Sequence, residues 1–423
     1  MGKPILVRGA RQLLTLRGPS APLRGAELRD LGIIQDGAAL IVGGRISNVG
    51  PTRQVENLAA ARGAEEIDAN GRVVLPGFID SHTHLIGGTP RVHDLETGAA
   101  EKTEREITDA GRCPSAFRAL QVTSGRTLAA QALAILKYCV RQGTTTIETK
   151  SGWGITEAGE LKILRAHAAI QAAPISVIST FMAARALPPE CGLGRSEYLE
   201  WACTRMLPLV ARRRLAEFAD FGEESGFTLD QARRFLGTAK RLGLKVKMHA
   251  AQRRNPGGLR LAVELGATSV DHVVQVDEDD AALLARSSVV ATLLPGPALY
   301  SGTQRYAPAR MLIDRGVAVA LATNYNPHTC PSHNMQMMMF LACRKMRMTA
   351  AEAVAAATIN AAHALGRGGE IGSLEAGKRA DLVMLSVPDY REIPYHFGVN
   401  LVEMTMKEGR VIYRSPEMRW LAG

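Results

Sequence analysis

Two histidines one residue apart, His82 and His84, follow the run Val73-Val74-Leu75-Pro76-Gly77-Phe78-Ile79-Asp80-Ser81. On a β-strand, residues i and i+2 project to the same face. Both imidazoles could therefore serve one metal ion from a rigid rail, and neutral imidazole is a common metal ligand. Val73-Val74-Leu75 reads as a buried strand and Pro76-Gly77 as a bend, so the pair falls where such a strand would emerge. Further along, His249 follows Lys245-Val246-Lys247-Met248, His272 follows Ser269-Val270-Asp271, and Asn324 follows Leu321-Ala322-Thr323. If these runs are strands of one barrel, the three residues converge on the His82/His84 pair.

The elements that must position them alternate. Apolar, β-branched runs occur at Val73–Asp80, Thr144–Thr149, Ile175–Phe181, Phe218–Phe221, Leu244–Met248, Thr268–Val270, Val289–Leu293 and Val317–Ala322. Helical patterns lie between many of them. Thr127–Arg141 ends at Gly143, Thr156–Ala172 stops at Pro174, and Thr228–Leu242 ends at Gly243. Thr349-Ala350-Ala351-Glu352 is a capping box opening a helix that closes near Gly366. Strand and helix in this alternation predict an α/β fold, a (β/α)8 TIM-type barrel with its chemistry at the C-terminal ends of the strands.

By that rule His167 and His363, inside helices, and His396, in the C-terminal tail, are packing or surface histidines. His93, His328 and His333 fall on loops at the mouth. The ends of the chain read differently. Ala39–Val42, Gly43-Gly44 and Arg45–Gly50 form a hairpin pattern, echoed by Ala380–Leu385 and Glu408–Tyr413. Residues 1–72 and 368–423 are therefore expected to make one small β-sandwich domain, with the barrel over 73–367.

A chain of 423 residues suits one large and one smaller unit. Its formal charge of +10 is dispersed, as in Arg212-Arg213-Arg214 and Arg253-Arg254, which fits solvated faces and attraction of an anionic substrate and not nucleic-acid binding. Six cysteines at 113, 139, 191, 203, 330 and 343 lack C-x-x-C spacing, the usage of reduced thiols in a cytoplasmic protein. Cys330-x-x-His333 has no second half to complete a zinc site. No apolar run approaches the ~20 residues that span a bilayer, and Met1-Gly2-Lys3-Pro4 opens neither a secretory nor a myristoylation signal.

The Pro76–His84 segment, the later strand-end histidines and the polar position closing strand eight resemble the amidohydrolase superfamily. Within it, Glu148–Gly154, Thr180–Pro188, Lys247–Gln252, Ala322–Pro327, Thr358–Ala362 and Gly377–Leu382 are similar to the imidazolonepropionase family. The resemblance implies hydrolysis of the ring C–N bond of 4-imidazolone-5-propanoate to N-formimino-L-glutamate, in histidine degradation, with one zinc or iron ion. It implies His82, His84 and His249 as metal ligands and His272 as a proton or hydrogen-bond partner. Arg91 would clamp the propanoate, as a guanidinium is suited to do, and Trp153, Arg185, Gln252, Asn326 and Thr329 would line the substrate. A homodimer is also implied.

The departures bear on the chemistry. Asn324 stands where the family has a metal-binding, proton-accepting Asp; an amide offers a weak carbonyl ligand and no basicity. That leaves His272, or His328, as the base. Trp153 replaces Tyr, Arg185 replaces His, Ala251 stands where an acid is common, and Asp109-Ala110-Gly111-Arg112-Cys113 stands where a Gly-rich segment is expected after Arg91. Two other readings follow: a hydrolase of another cyclic amide or amidine, and a barrel that binds without turnover.

Overall fold

The computed structural model describes residues 2–18, 20–87, 114–184, 194–222 and 226–416. Arg91, His93, Arg185, Cys113, Cys191 and the segment after Arg91 lie outside the described residues.

Among the described residues, sixteen strands divide between two sheets. The first contains β1 (Ile5–Leu14), β2 (Ile33–Val42), β3 (Arg45–Pro51), β4 (Glu65–Asp68), β5 (Val73–Pro76), β14 (Leu382–Leu385), β15 (Val402–Lys407) and β16 (Arg410–Arg414). Its order is β16-β15-β14-β5-β1-β2-β3, with β4 also paired to β1. Both chain ends thus share one mixed sheet. That sheet curls so that its two halves close on each other. Val7, Leu13 and Ile41 from one half pack in a single cluster with Val74, Leu382, Met384, Met404 and Met406 from the other. Main-chain bonds from Ile46 to Lys378 and from Ala380 to Gly44 lock the curl.

The second sheet is all parallel: β6 (Phe78–Asp80), β7 (Thr144–Lys150), β8 (Ser176–Ala184), β9 (Phe218–Gly222), β10 (Lys245–Ala250), β11 (Ser269–His272), β12 (Val290–Leu293) and β13 (Val319–Leu321). Each pairs with the next in chain order. Beyond the strand ends, Asn324 N–H donates to the His82 carbonyl (3.0 Å) and His84 N–H to the Tyr325 carbonyl (2.7 Å), stitching the first strand to the last. The eight runs read from sequence are these eight strands, with one difference. Val73–Asp80 is two strands, β5 in the terminal sheet and β6 in the barrel. Gly77 makes the transfer possible, because a Cβ there would lie 2.2 Å from Thr145 Cγ2.

The helices follow their caps. Ser124 caps Gly125–Arg141, Thr156 caps Glu157–Ile170, and Thr228 opens Leu229–Arg241 with a full capping box. Thr349 opens Ala350–Ala357 as its sequence predicts, but the helix does not run on to Gly366. Thr358, at φ −127° and ψ −94°, breaks it, and a second short helix, Ile359–His363, follows. No helix among the described residues is long and apolar enough to cross a membrane.

His167 is a packing histidine, as expected, and fully buried, with Nδ1 3.0 Å from Ser179 Oγ. Burial disfavours its charged form and pushes the imidazole pKa down to about 3. The folded value lies below the unfolded one, so its contribution is fully present above about pH 6.5 and is lost as pH falls towards about 3. The slope is at most about 1.4 kcal/mol per pH unit. His167→Gln should therefore flatten the loss of stability between pH 6.5 and 4.5, read from urea midpoints. Parallel curves for the two proteins would rule this histidine out as a source of acid sensitivity.

Candidate metal centre

Inside the barrel, inward positions alternate along each strand. On β7 they are Glu148 and Lys150; on β9, Asp220; on β10, Lys247 and then His249; on β11, Ser269 and Asp271. All except His249 are fully buried. Below them Phe218 floors the space, its ring 5.7 Å from Lys247 Nζ. Above them sit the histidines. One nitrogen from each of His82, His84 and His249 lies within 4.8 Å of the others. The His82 and His249 rings are 4.5 Å apart, and His272 stands 5.6 Å from His82 and 5.2 Å from His249.

Each of two imidazoles is held from behind. His82 Nδ1 is 2.7 Å from Asp271 Oδ2, and His249 Nδ1 is 3.1 Å from Asp220 Oδ1. A carboxylate behind an imidazole fixes its tautomer and leaves the other nitrogen for a ligand. His82 Nε2 fits this: it is buried and has no hydrogen-bond partner among the described residues. Burial, with Lys150 nearby, holds His82 well below its ordinary pKa, so the ring is neutral and a donor of its lone pair. Burial would raise the Asp271 carboxyl, but the Lys247 and Lys150 ammoniums bring it down to about 2.

Asn324 lies three residues beyond β13 in a left-handed conformation, φ +53°, and is buried. Its N–H is spent on His82 and its carbonyl accepts from Asn326 Nδ2 at 2.9 Å. Asn326 in turn receives Thr329 N–H (2.7 Å), the Thr329 hydroxyl (3.0 Å) and His328 N–H (3.0 Å) on Oδ1. Those two residues build the loop that carries Asn324. His328 Nε2 lies 2.5 Å from the Gly87 carbonyl, and its ring packs 5.3 Å from Trp153. Of the two bases considered, His272 is the one beside the cluster. His333 is at the rim, near Tyr138 and Tyr325.

Trp153 forms a wall, its ring edge-on to His84 at 6.4 Å. Its loop is pinned by the buried Glu160 carboxylate, which accepts from the N–H groups of Gly152 (3.1 Å), Gly154 (2.5 Å) and Ile155 (3.2 Å). The fit is close: a Cβ on Gly154 would fall 2.2 Å from Glu160 N. Gln252 is half-buried on the segment following His249. Asp80, pushed up to about 7 by burial, accepts both the N–H (3.0 Å) and the hydroxyl (2.6 Å) of Thr323 and so locks the first strand to the last.

A family model described as the amidohydrolase family matches residues 73–412, a span containing every one of these side chains. The chain belongs to that family. Among relatives of this amidohydrolase, the imidazolonepropionase of Geobacillus kaustophilus (strain HTA426) is 44% identical over 416 residues, 97% of this chain and 98% of the relative. That of Chloroflexus aggregans (strain MD-66 / DSM 9485) is 41% identical, covering 96% and 98%. Solved structures share the amidohydrolase fold at lower identity. Atrazine chlorohydrolase TrzN from Arthrobacter aurescens TC1, complexed with zinc, has a TM-score of 0.75 at 18% identity, covering 99% of this chain and 98% of its own. An adenosine deaminase from Xanthomonas campestris with bound zinc has a TM-score of 0.70 at 18% identity.

Sequence reasoning missed the layer beneath the imidazoles. Asp220 and Lys247 lie in runs read as strands, and Lys150 and Asp271 directly follow such runs, yet none was read as part of the site. The signal was there: a charge inside a parallel strand buried on both faces can only point into the barrel.

Proposed function

We propose that this amidohydrolase opens the ring C–N bond of 4-imidazolone-5-propanoate, giving N-formimino-L-glutamate in histidine degradation. The observation that carries the reading is the set of three imidazole nitrogens within 4.8 Å, drawn from the ends of two strands, two of them backed by buried carboxylates. The full-length similarity to imidazolonepropionases supports the choice of substrate. His82, His84 and His249 would hold one zinc or iron ion, with the Asn324 side-chain oxygen as a weak fourth ligand; nitrogen donors of this kind suit either metal. An ion held there would supply Lewis acidity, polarising a carbonyl and making water more acidic, from a pKa of about 15.7 towards about 7.

The remaining work falls to the chain. His272, beside the cluster, takes a proton and returns it to the departing ring nitrogen. Trp153 closes one side and excludes water. As the resemblance implies, Arg91 would pair with the propanoate and Arg185 and Gln252 would border the ring, while Asn326 and Thr329 set the Asn324 loop. The unpaired cysteines at 139, 203, 330 and 343 agree with a reducing, cytoplasmic setting.

Asn324 favours a second reading, in which the site binds without turnover or opens a different cyclic amide. The test is direct: purified protein with added zinc or iron(II), incubated with 4-imidazolone-5-propanoate, should release N-formimino-L-glutamate. No product with metal bound would retire the first reading in favour of the second.

A further inference from the structure

Five ionisable side chains fill the layer beneath the imidazoles, three carboxylates and two ammoniums: Glu148, Asp220, Asp271, Lys150 and Lys247. The two lysines have different tasks. Lys247 donates to the Ser81 carbonyl at 2.8 Å and stays 3.9 Å from Glu148 and 3.8 Å from Asp271. Lys150 Nζ is the hub, 2.8 Å from Glu148 Oε1, 2.7 Å from Asp220 Oδ2 and 3.5 Å from Asp271 Oδ2. Both aspartates that Lys150 touches are the ones behind ligand imidazoles: Asp271 behind His82 on the first strand, Asp220 behind His249 on the fifth. One ammonium therefore sits behind two imidazoles whose positions in the chain are 167 residues apart, as 249 minus 82 shows.

We propose that Lys150 is a positioning residue for the metal centre, a resident cation that clamps Asp220 and Asp271 together so that His82 and His249 present their free nitrogens at a fixed separation. The inference rests on the metal-centre reading above. Without the ammonium, two like charges in a dry interior repel and turn apart. Each then releases its hold on an imidazole. Loss of such outer partners typically weakens metal binding by about 10–100-fold. Simple through-space charge predicts the opposite sign, because deleting a cation near a metal site should tighten it. The direction of the change therefore separates positioning from bulk electrostatics.

The experiment uses the full chain, stripped of metal, with zinc as the probe and a chromophoric chelator in competition. Cobalt(II) absorption reports the coordination geometry. Lys150→Met is expected to bind zinc about 10–100-fold more weakly than the unaltered protein and to show an altered cobalt spectrum. Lys150→Met with Glu148→Gln removes one charge of each sign, restores the balance, and covers the case in which the single variant does not fold. It should bind as weakly, because the aspartates still lack their clamp. Thr180→Val, which removes a neighbouring hydrogen bond to Glu148 and no charge, should stay within about twofold of the unaltered protein, as a pair outside the clamp.

Equal or tighter zinc binding by Lys150→Met overturns the proposal. So does recovery of full affinity in the double variant, or an equal loss in Thr180→Val. Zinc failing to bind the unaltered protein would remove the metal centre itself, a result distinct from all of these.

Discussion

Asn324→Asp should raise hydrolysis of 4-imidazolone-5-propanoate by about 10²- to 10⁴-fold, the range that a positioned general base contributes. The substitution is nearly isosteric, and the backbone at this position is held independently of the side chain. The N–H of residue 324 bonds to His82 and its carbonyl to Asn326 Nδ2. Its left-handed φ of +53° is one that Asp tolerates about as well as Asn. The exchange therefore adds a negative charge and a basic oxygen on a residue whose backbone bonds to His82, and little else. Steady-state kinetics with saturating metal give the answer. An unchanged rate in a variant that binds metal normally would show that the missing carboxylate is not the barrier, and would direct attention to another ring substrate.

Stripping the protein with a strong chelator should abolish turnover, and returning zinc or iron(II) should restore it. The same treatment should lower stability. Ligand present at a thousandfold excess over its Kd stabilises a folded protein by about 4 kcal/mol, and here removal also leaves His82 Nε2 buried without a partner. Melting curves with and without added zinc measure this alongside activity. Turnover that survives exhaustive chelation, with metal content below one-tenth of an ion per chain by elemental analysis, would exclude the reading of His82, His84 and His249 as a working metal site.

How far the sequence alone reaches can be judged residue by residue. The barrel was legible because parallel strands buried on both faces read as apolar runs, and because helix starts carry caps at Thr156, Thr228 and Thr349. His82, His84, His249 and His272 were legible because strand ends in such a barrel share one face, and the structure brings all four together. His328 was a weaker inference. It lies four residues beyond Asn324 after the last strand, but the loop brings its ring onto Trp153, and local spacing carries no information about that turn. The split at Gly77 was hidden for a related reason: both halves of Val73–Asp80 are buried, so their composition is alike although their sheets differ. The Lys150 hub was hidden because three of its partners lie on three strands, and pairing across strands is a tertiary fact.

The terminal sheet has a consequence for biosynthesis. β5 lies between β1, made early, and β14, whose Val383 pairs with Leu75. A nascent chain can assemble barrel strands as they leave the ribosome, but this seam stays open until β14 (Leu382–Leu385), which follows every barrel strand in the chain, has been translated. Closing so long a loop adds little entropy cost beyond that of a shorter one, yet it comes late. Until then the apolar edge of β5, one glycine away from the strand that leads into His82 and His84, is exposed to misassociation.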